Sequence, residues 1–307
     1  MHIELGSVRA FVAVADAGAI NRAAQVVHLS QPAVTRHVQR LEAALGAQLL
    51  DRRARPATLT PAGRQAVEVC RQVLKTLGQL RAVGDGGAGP TGECRIGIAH
   101  ALANLALAEP IDGVRRQFPK LQLQVTTGWS ADVLDRVRSG QLDLGVVYLP
   151  EGQTPPAELR VRVLAVQPLM VAAPRSWKRR RLDLKALGGA DWVLNPQGCG
   201  FRGALQRRLA DIGATFRVAV EVHDLQTQLS LVARGVGLAL VPGWIAATSP
   251  YRHHLRFFGV RGLPLRLSIW ALRGSPLAIL EPVLTSLEDR LAAVLTKRGR
   301  RPSRPAA

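Results

Sequence analysis

The chain has 307 residues, 47% of them apolar and 21% charged, with mean hydropathy near zero, which suits two or three compact units and excludes a fibrous or wholly disordered protein. Its longest apolar run, VGLALVPGWIAA (236–247), is too short to span a bilayer, and Glu4, Arg9 and Asp16 break up the N-terminus where an export signal would be apolar. The net charge of +19 raises a nucleic-acid reading without deciding it, because the excess is spread over residues 1–92, the segment RSWKRRR (175–181) and the tail 291–307.

From Leu5 to Ala17, apolar Leu5, Val8, Phe11, Val12 and Ala15 recur at spacings of three and four, so a first helix turns one face inward until Gly18 stops it. Asn21 is placed to cap a short second helix, and Ser30 a third, since a side-chain oxygen there accepts from a first-turn N–H. Pro32 then falls in the first turn, where its missing N–H has no partner to lose. In this third helix Val34, Val38, Leu41 and Leu45 share one stripe. Gln31, Thr35, Arg36 and Gln39 are left outward, with Arg40 beside them, and Gly46 closes the helix. AQLLDRRARPATLTPAG (47–63) reads as a small β-ribbon carrying Arg52, Arg53 and Arg55. Thr60 and Pro61 start a helix over 61–83, in which Ala66, Cys70, Val73, Leu77 and Leu80 repeat in steps of four and three, a seam that wants a partner helix.

GDGGAGPTG (84–92) has the composition of a flexible hinge. Beyond it, strand-like runs alternate with helical ones: CRIGIA, a helix to Phe118, LQLQVTT, a helix over 130–139, and LDLGVVY. A second set follows in LMVAAP, DWVLN, FRVAVEV and LALVP, and the chain returns through LRLSIWALR to a last helix ending at Leu295. This order predicts an α/β domain over 93–296 with parallel sheets and helices on both faces, in two lobes with a cleft between them. One lobe takes 93–166 and 267–296, the other 167–266, and the basic tail 297–307 is expected to be disordered.

Three short helices followed by an arginine-rich wing make a winged helix-turn-helix. Its third helix has the size to enter a major groove, Gln and Arg can pair with base edges, and wing arginines can meet phosphates. The stretch FVAVADAGAINRAAQVVHLSQPAVTRHVQRLEAALGAQLLDRRARPATLTPAG resembles the N-terminal signature of LysR-type transcriptional regulators. RIGIA, GQLDLGVV and VARGVGLALVP continue the likeness more weakly through nearly the whole chain. The resemblance implies a winged helix-turn-helix, a dimerising linker helix, and a two-lobed effector-binding domain like periplasmic solute-binding proteins. Matched position by position, Gln31, Pro32, Thr35 and Arg36 fall at the base-contacting start of the recognition helix, and Arg52 and Arg53 in the wing. The sequence departs from the family at residues 18–21, where Gly-Ser-Phe-Ser or Thr is commoner, and at Leu50, where Phe is usual. The expected interface with double-stranded DNA therefore comprises Asn21, Ser30, Gln31, Pro32, Thr35, Arg36, Gln39, Arg40, Arg52, Arg53 and Arg55, and the homo-oligomer seam Cys70, Val73, Leu77 and Leu80. RNA polymerase is a candidate further partner, and the place of work is the cytoplasm, associated with the nucleoid.

GCGFRG (198–203), with Glu221 eighteen residues further on, is the strongest competing motif. In a dinucleotide site the glycines let a pyrophosphate approach a helix N-terminus and the acid binds ribose, which would make 93–296 a nucleotide-dependent oxidoreductase. Asn195, Pro196 and Gln197 intervene between strand and glycines, and that reading leaves the first 60 residues unexplained; the alternative is a glycine-rich helix start lining the cleft. A nonspecific nucleoid protein is a third reading. Cys70, Cys94 and Cys199 offer neither a CxxC pair nor a disulfide framework. Cys199 is a candidate redox sensor, weighed against a structural thiol without a nearby resolving cysteine. His253 and His254 are a candidate metal pair or an exposed loop; the seven histidines otherwise lack ligand spacing, and no enzymatic set, cofactor or metal is expected.

The family's first effector-domain loop is rich in Ser and Thr, which bind carboxylates, whereas here it reads Ala99, His100, Ala101, Leu102. The expected effector site is His100, Trp129 and Ser130 from one lobe, with Cys199, Gly200, Phe201, Gln226 and Thr227 from the other. It suits a small effector, partly aromatic or apolar, with one anionic group such as an organic acid.

Overall fold

The computed structural model describes residues 2–51, 54, 58–84, 90–150, 152–178, 182–183, 187–197, 199–215, 217–261, 266–274 and 278–299. It divides into two compact units, the first formed by residues 1–92 together with the short stretches 139–141 and 277–279, the second by the remainder.

In the first unit α1 (Leu5–Ala17) ends at Gly18, whose φ of 66° is a left-handed conformation that a residue without Cβ adopts at little cost. The second helix, α2 (Ile20–Val26), is capped at Ala19 with no side-chain bond. Asn21 therefore does not cap it: it lies inside the first turn, where its Oδ1 accepts from the Arg22 N–H at 3.0 Å, because the Gly18 turn starts the helix earlier than the capping pattern suggested. Helix α3 (Gln31–Leu45) starts as expected, with Ser30 Oγ accepting from Ala33 N–H at 3.4 Å, Pro32 in the first turn, and Gly46 in the left-handed region at its end. Val34, Val38 and Leu41 are buried against Phe11, whereas Leu45 at the helix end is exposed, so the inward stripe stops one turn short.

The wing is the antiparallel pair β1 (Leu50–Asp51) and β2 (Thr58–Leu59). Glu42 fixes its root: Oε1 accepts from the N–H groups of Leu49 at 2.9 Å and Leu50 at 3.2 Å. Arg52, Arg53 and Arg55 lie outside the described residues. Linker helix α4 (Pro61–Gly84) begins where Thr60 Oγ1 accepts from Gly63 N–H at 2.9 Å. Gly63 is required there, since any Cβ would collide with the Leu49 carbonyl. Buried Arg71 of α4 pairs with Asp16 of α1. Most of the expected hinge, residues 85–89, lies outside the described residues.

The second unit interleaves β3 (Gly92–Ala99), α5 (His100–Ala106), α6 (Ala108–Gln117), β4 (Leu121–Gly128), α7 (Ser130–Arg138) and β5 (Leu144–Pro150). Where one helix was expected to Phe118, two occur, broken at Leu107 with Pro110 seated in the first turn of α6. A long strand, β6 (Arg160–Pro174), then leads to β7 (Leu182–Asp183), β8 (Asp191–Leu194), α8 (Gly200–Ala210), β9 (Arg217–Glu221), α9 (Leu225–Ala233), β10 (Ala239–Pro242) and α10 (Ile245–Thr248). The chain closes with β11 (Leu255–Phe258), β12 (Val260–Arg261), β13 (Arg266–Arg273) and α11 (Glu281–Gly299). The last helix includes Lys297 and runs to Gly299; residues 300–307 of the basic tail lie outside the described residues.

The sheets are mixed rather than parallel. Strands β3 and β5 pair in parallel, as do β8 and β9, but β13 returns antiparallel between β5 and β6, and β10 and β11 flank the far half of β6 antiparallel. The first half of β6 thus belongs to one lobe and the second half to the other. Buried Trp192, Leu205, Leu209 and Leu229 pack the second lobe, and Ile96, Ile98, Leu142 and Leu144 the first.

Candidate functional site

The outward face of α3 presents Gln31, Pro32, Arg36 and Gln39 to solvent. Thr35 is half-buried, with Oγ1 donating to the Gln31 carbonyl at 3.0 Å. Arg40 is exposed as well, and its Nη1 donates to Glu4 Oε2 at 3.1 Å, which ties α3 to the entry of α1. Asn21 and Ser30 are exposed at the neighbouring helix starts. His28, in the turn before α3, holds a left-handed φ of 54°, a residue that sequence reasoning passed over.

A second feature of this unit is an apolar groove of about 590 Å³ lined by Ile3, Leu5, Leu41, Leu45 and Leu49 and by the α4 residues Ala66, Val69, Cys70, Val73 and Leu77. Val69, Val73 and, further along the helix, Leu80 are exposed. Three of the four expected seam residues thus share one wall, and the stripe continues in Leu80. Exposed Leu45 finds its explanation here rather than in the core.

The second unit holds a cavity of about 330 Å³ between its lobes, at the C-terminal ends of β3, β4 and β8, where open α/β sheets bind ligands. One wall carries Ala99, His100, Trp129, Ser130 and Tyr148; the other carries Asn195, Cys199, Gly200, Phe201, His223, Asp224, Leu225 and Gln228. Helix α7 starts at Ser130, whose Oγ accepts from the Tyr148 N–H at 3.1 Å and keeps its own proton free to donate. Helix α8 starts at Gly200, so two helix N-termini from opposite lobes meet at the cavity, each favouring negative charge. The aromatic rings fall in two groups: Tyr148 lies edge-on to Phe201 at 5.4 Å between centroids and stacks on Trp244 at 6.0 Å, and Trp129 sits between His100 at 5.1 Å and His223 at 5.8 Å.

Six of the eight expected effector residues line this cavity, and Gln226 and Thr227 do not. Asp224 caps α9, accepting from the Thr227 N–H at 2.7 Å and from its hydroxyl at 2.9 Å, so Thr227 is committed to the cap. The cap fixes the phase of the helix, which turns Leu225 and Gln228 inward in their place. Gln228 is buried; its Nε2 donates to the Val193 carbonyl at 2.7 Å, leaving Oε1 without a partner. The Tyr148 hydroxyl is likewise buried without a partner, and burial pushes its pKa well above the ordinary value. Both residues line the cavity, Tyr148 on the first wall and Gln228 on the second.

Cys199 is half-buried on the cavity wall. Burial pushes its thiol above the ordinary value, against a smaller opposite pull from the N–H groups of Phe201 and Arg202 and the Arg202 charge. Its Sγ donates to Asn195 Oδ1 at 3.8 Å, and Asn195 Nδ2 donates to the Val222 carbonyl at 3.0 Å, which locks the loop before α8 to the loop after β9. Arg202 is buried, donating to the Asn195 carbonyl at 3.2 Å and to Glu221 at 2.6 Å, so the acid that a ribose would need already carries an ion pair. Gly198 lies outside the described residues. His253 and His254 are exposed on a turn, and among the described residues no group of three or more His, Cys, Asp and Glu could hold a metal. No described helix is long and apolar enough to cross a membrane.

Residues 5–64 match the model of the bacterial regulatory helix-turn-helix protein, lysR family, and residues 87–300 match the LysR substrate binding domain. The HTH-type transcriptional regulator IlvR of Caulobacter vibrioides is 30% identical over 247 residues, covering 78% of this chain and 82% of the relative. Among solved structures, full-length OxyR from Pseudomonas aeruginosa superposes with a TM-score of 0.74 at 23% identity over 95% of each chain. CbnR in complex with its target DNA superposes with a TM-score of 0.60 at 24% identity over 95% of this chain and 99% of that one. These relatives give the oxidoreductase reading no support. With both of its units matched by the same family, the chain belongs to the LysR-type transcriptional regulators, DNA-binding proteins that carry an effector-binding domain.

Proposed function

We propose that the protein is a homo-oligomeric regulator whose effector is a small organic acid with an aromatic or apolar body and a hydroxyl or amine that donates a hydrogen bond. The observation that carries this reading is the meeting of two helix N-termini at an aromatic-lined cavity, whose opposite walls each hold one lining residue with a buried, unpartnered atom. Gln228 Oε1 can only accept, so it asks the ligand for a donor; Tyr148 O–H asks for an acceptor. The acid group goes to the N-termini of α7 and α8 with Ser130, and the ring or alkyl body lies against Trp129 and Phe201, with His100 at the rim. A volume of about 330 Å³ stands at the small end of the ~300–1,000 Å³ range of small-molecule sites. Asp224 on the same wall disfavours a second negative charge.

In this reading Gln31, Thr35, Arg36 and Gln39 contact base edges, and Arg52, Arg53 and Arg55 meet phosphates. Two copies of α4 close the apolar groove, giving a dimer or a dimer of dimers, and ligand binding changes the spacing of the DNA-reading units. The protein works in the cytoplasm on chromosomal DNA with RNA polymerase as a downstream partner, and it acts by binding rather than by catalysis. Calorimetric titration with aromatic and aliphatic monocarboxylic acids, with and without a hydroxyl or amino group, tests the effector. The donor-bearing acids bind best and lose affinity in Ser130→Ala. Tight binding of an uncharged sugar, indifferent to that substitution, would overturn the proposal.

A further inference from the structure

Strand β6 ends at Pro174 and continues into Arg175, Ser176, Trp177 and Lys178. Strand β11 pairs antiparallel with that end, Leu255 opposite Pro174, and so brings Arg252, His253 and His254 alongside. The two stretches are stitched together by hydrogen bonds. Arg175 N–H donates to the His254 carbonyl at 2.9 Å and Arg175 Nη1 to the His253 carbonyl at 3.4 Å, while Arg256 Nη1 donates to the Trp177 carbonyl at 3.3 Å. Arg175, Lys178, Arg252, His253, His254 and Arg256 are all exposed, and the sequence runs on from Lys178 through three more arginines.

What separates this surface from an ordinary solvated face is its lack of counter-charge. Elsewhere in the unit Arg95, Arg115, Arg138, Arg162, Arg217 and Arg273 each face a carboxylate. Among the described residues, none of the patch cations does, and neither 175–178 nor 251–258 contains Asp or Glu. Unneutralised charge crowded on one surface repels itself until a polyanion answers it. The patch also lacks an apolar anchor of the kind that seeds a protein interface: Leu255 beneath it is buried, and no large exposed hydrophobic residue falls in either stretch.

We propose that this patch is a second DNA-binding surface, on which the effector-binding unit holds phosphates independently of sequence while α3 reads bases. The guanidinium and ammonium groups supply charge-assisted bonds to phosphate oxygens, and the backbone stitching holds Arg175 and Arg256 in place. The affinity it adds depends on the length of the duplex and on salt, not on the operator.

The test uses the full-length protein and random-sequence duplexes of roughly 20 and roughly 80 base pairs, each titrated across a range of salt concentrations. Lys178→Gln with Arg252→Gln removes two charges whose side chains make no hydrogen bond among the described residues, and an unchanged melting temperature controls for folding. The expected result is a log affinity against log salt slope shallower by about 1.8 on the long duplex, at ~0.9 per lost phosphate contact. The charge-preserving pair Lys178→Arg with Arg252→Lys keeps the original slope. Identical slopes for wild type and the Gln pair on both duplexes overturn the proposal. So does an unchanged DNA slope accompanied by lost binding to polyglutamate, which assigns the patch to an acidic protein instead.

Discussion

The Tyr148 hydroxyl is buried between Phe201 and Trp244 with nothing to bond, and a lone buried hydroxyl costs on the order of 1–3 kcal/mol. Tyr148→Phe removes that cost without changing the shape of the wall. The ligand-free protein is therefore expected to gain about 1 kcal/mol in denaturant unfolding, while calorimetry shows weaker effector binding. A variant that is less stable yet binds the effector unchanged would place the hydroxyl outside the site. On α3 the same logic separates reading from holding. Gln31→Ala and Arg36→Ala are expected to cost roughly 1–3 kcal/mol of preference for the operator over random DNA, whereas Arg53→Ala weakens both alike. Competition gel shifts measure the difference, and unchanged relative affinities in both helix variants would remove α3 as the reader. Arg40→Ala, by contrast, releases only an exposed pair with Glu4 and leaves specificity as it was.

At the scale of elements, α4 presents Val69, Val73, Leu77 and Leu80 along one stripe that the rest of the first unit does not cover. Leu77→Asp is expected to leave the monomer folded and to halve the sedimenting mass, because the carboxylate becomes buried and unpaired only when a second copy docks. An unchanged mass would mean that the stripe is not the interface. Local signals made much of this architecture legible in the sequence: Ser30 with Pro32, and Thr60 with Pro61, fix helix starts through bonds that span only three residues. What escaped were features set by phase or by distant pairing. Asn21 resembles a cap, but the Gly18 turn starts α2 before it. Asp224 begins α9 so that Leu225 and Gln228, not Gln226 and Thr227, face the cavity. The antiparallel return of β13 joins residues about a hundred positions apart or more, beyond the reach of any window of local pattern.

For the whole molecule, three buried acids contribute to its response to alkali. Burial raises the thiols of Cys70 and Cys199 above 9.0 and the phenol of Tyr148 well above 10.0. In the unfolded chain all three lose their protons earlier, so through them the unfolded state binds fewer protons than the native one above about pH 9 and stability falls as pH rises from there. Below that point the three groups are protonated in either state and contribute no slope. Unfolding midpoints measured from pH 8 upward check the sign, and a midpoint that climbed with pH would contradict it. The course of β6 carries a different consequence. Arg266, where the chain comes back, sits directly opposite Pro168, where it leaves, so everything from 169 to 265 departs and re-enters through one rung of a single ladder. Topologically that stretch is an insertion, a guest domain whose two ends touch. A tight hairpin turn could stand in for it, leaving the host sheet of β3, β4, β5, β13 and the first half of β6 uninterrupted, and the guest could be exchanged among hosts as a cassette that brings its own half of the cavity.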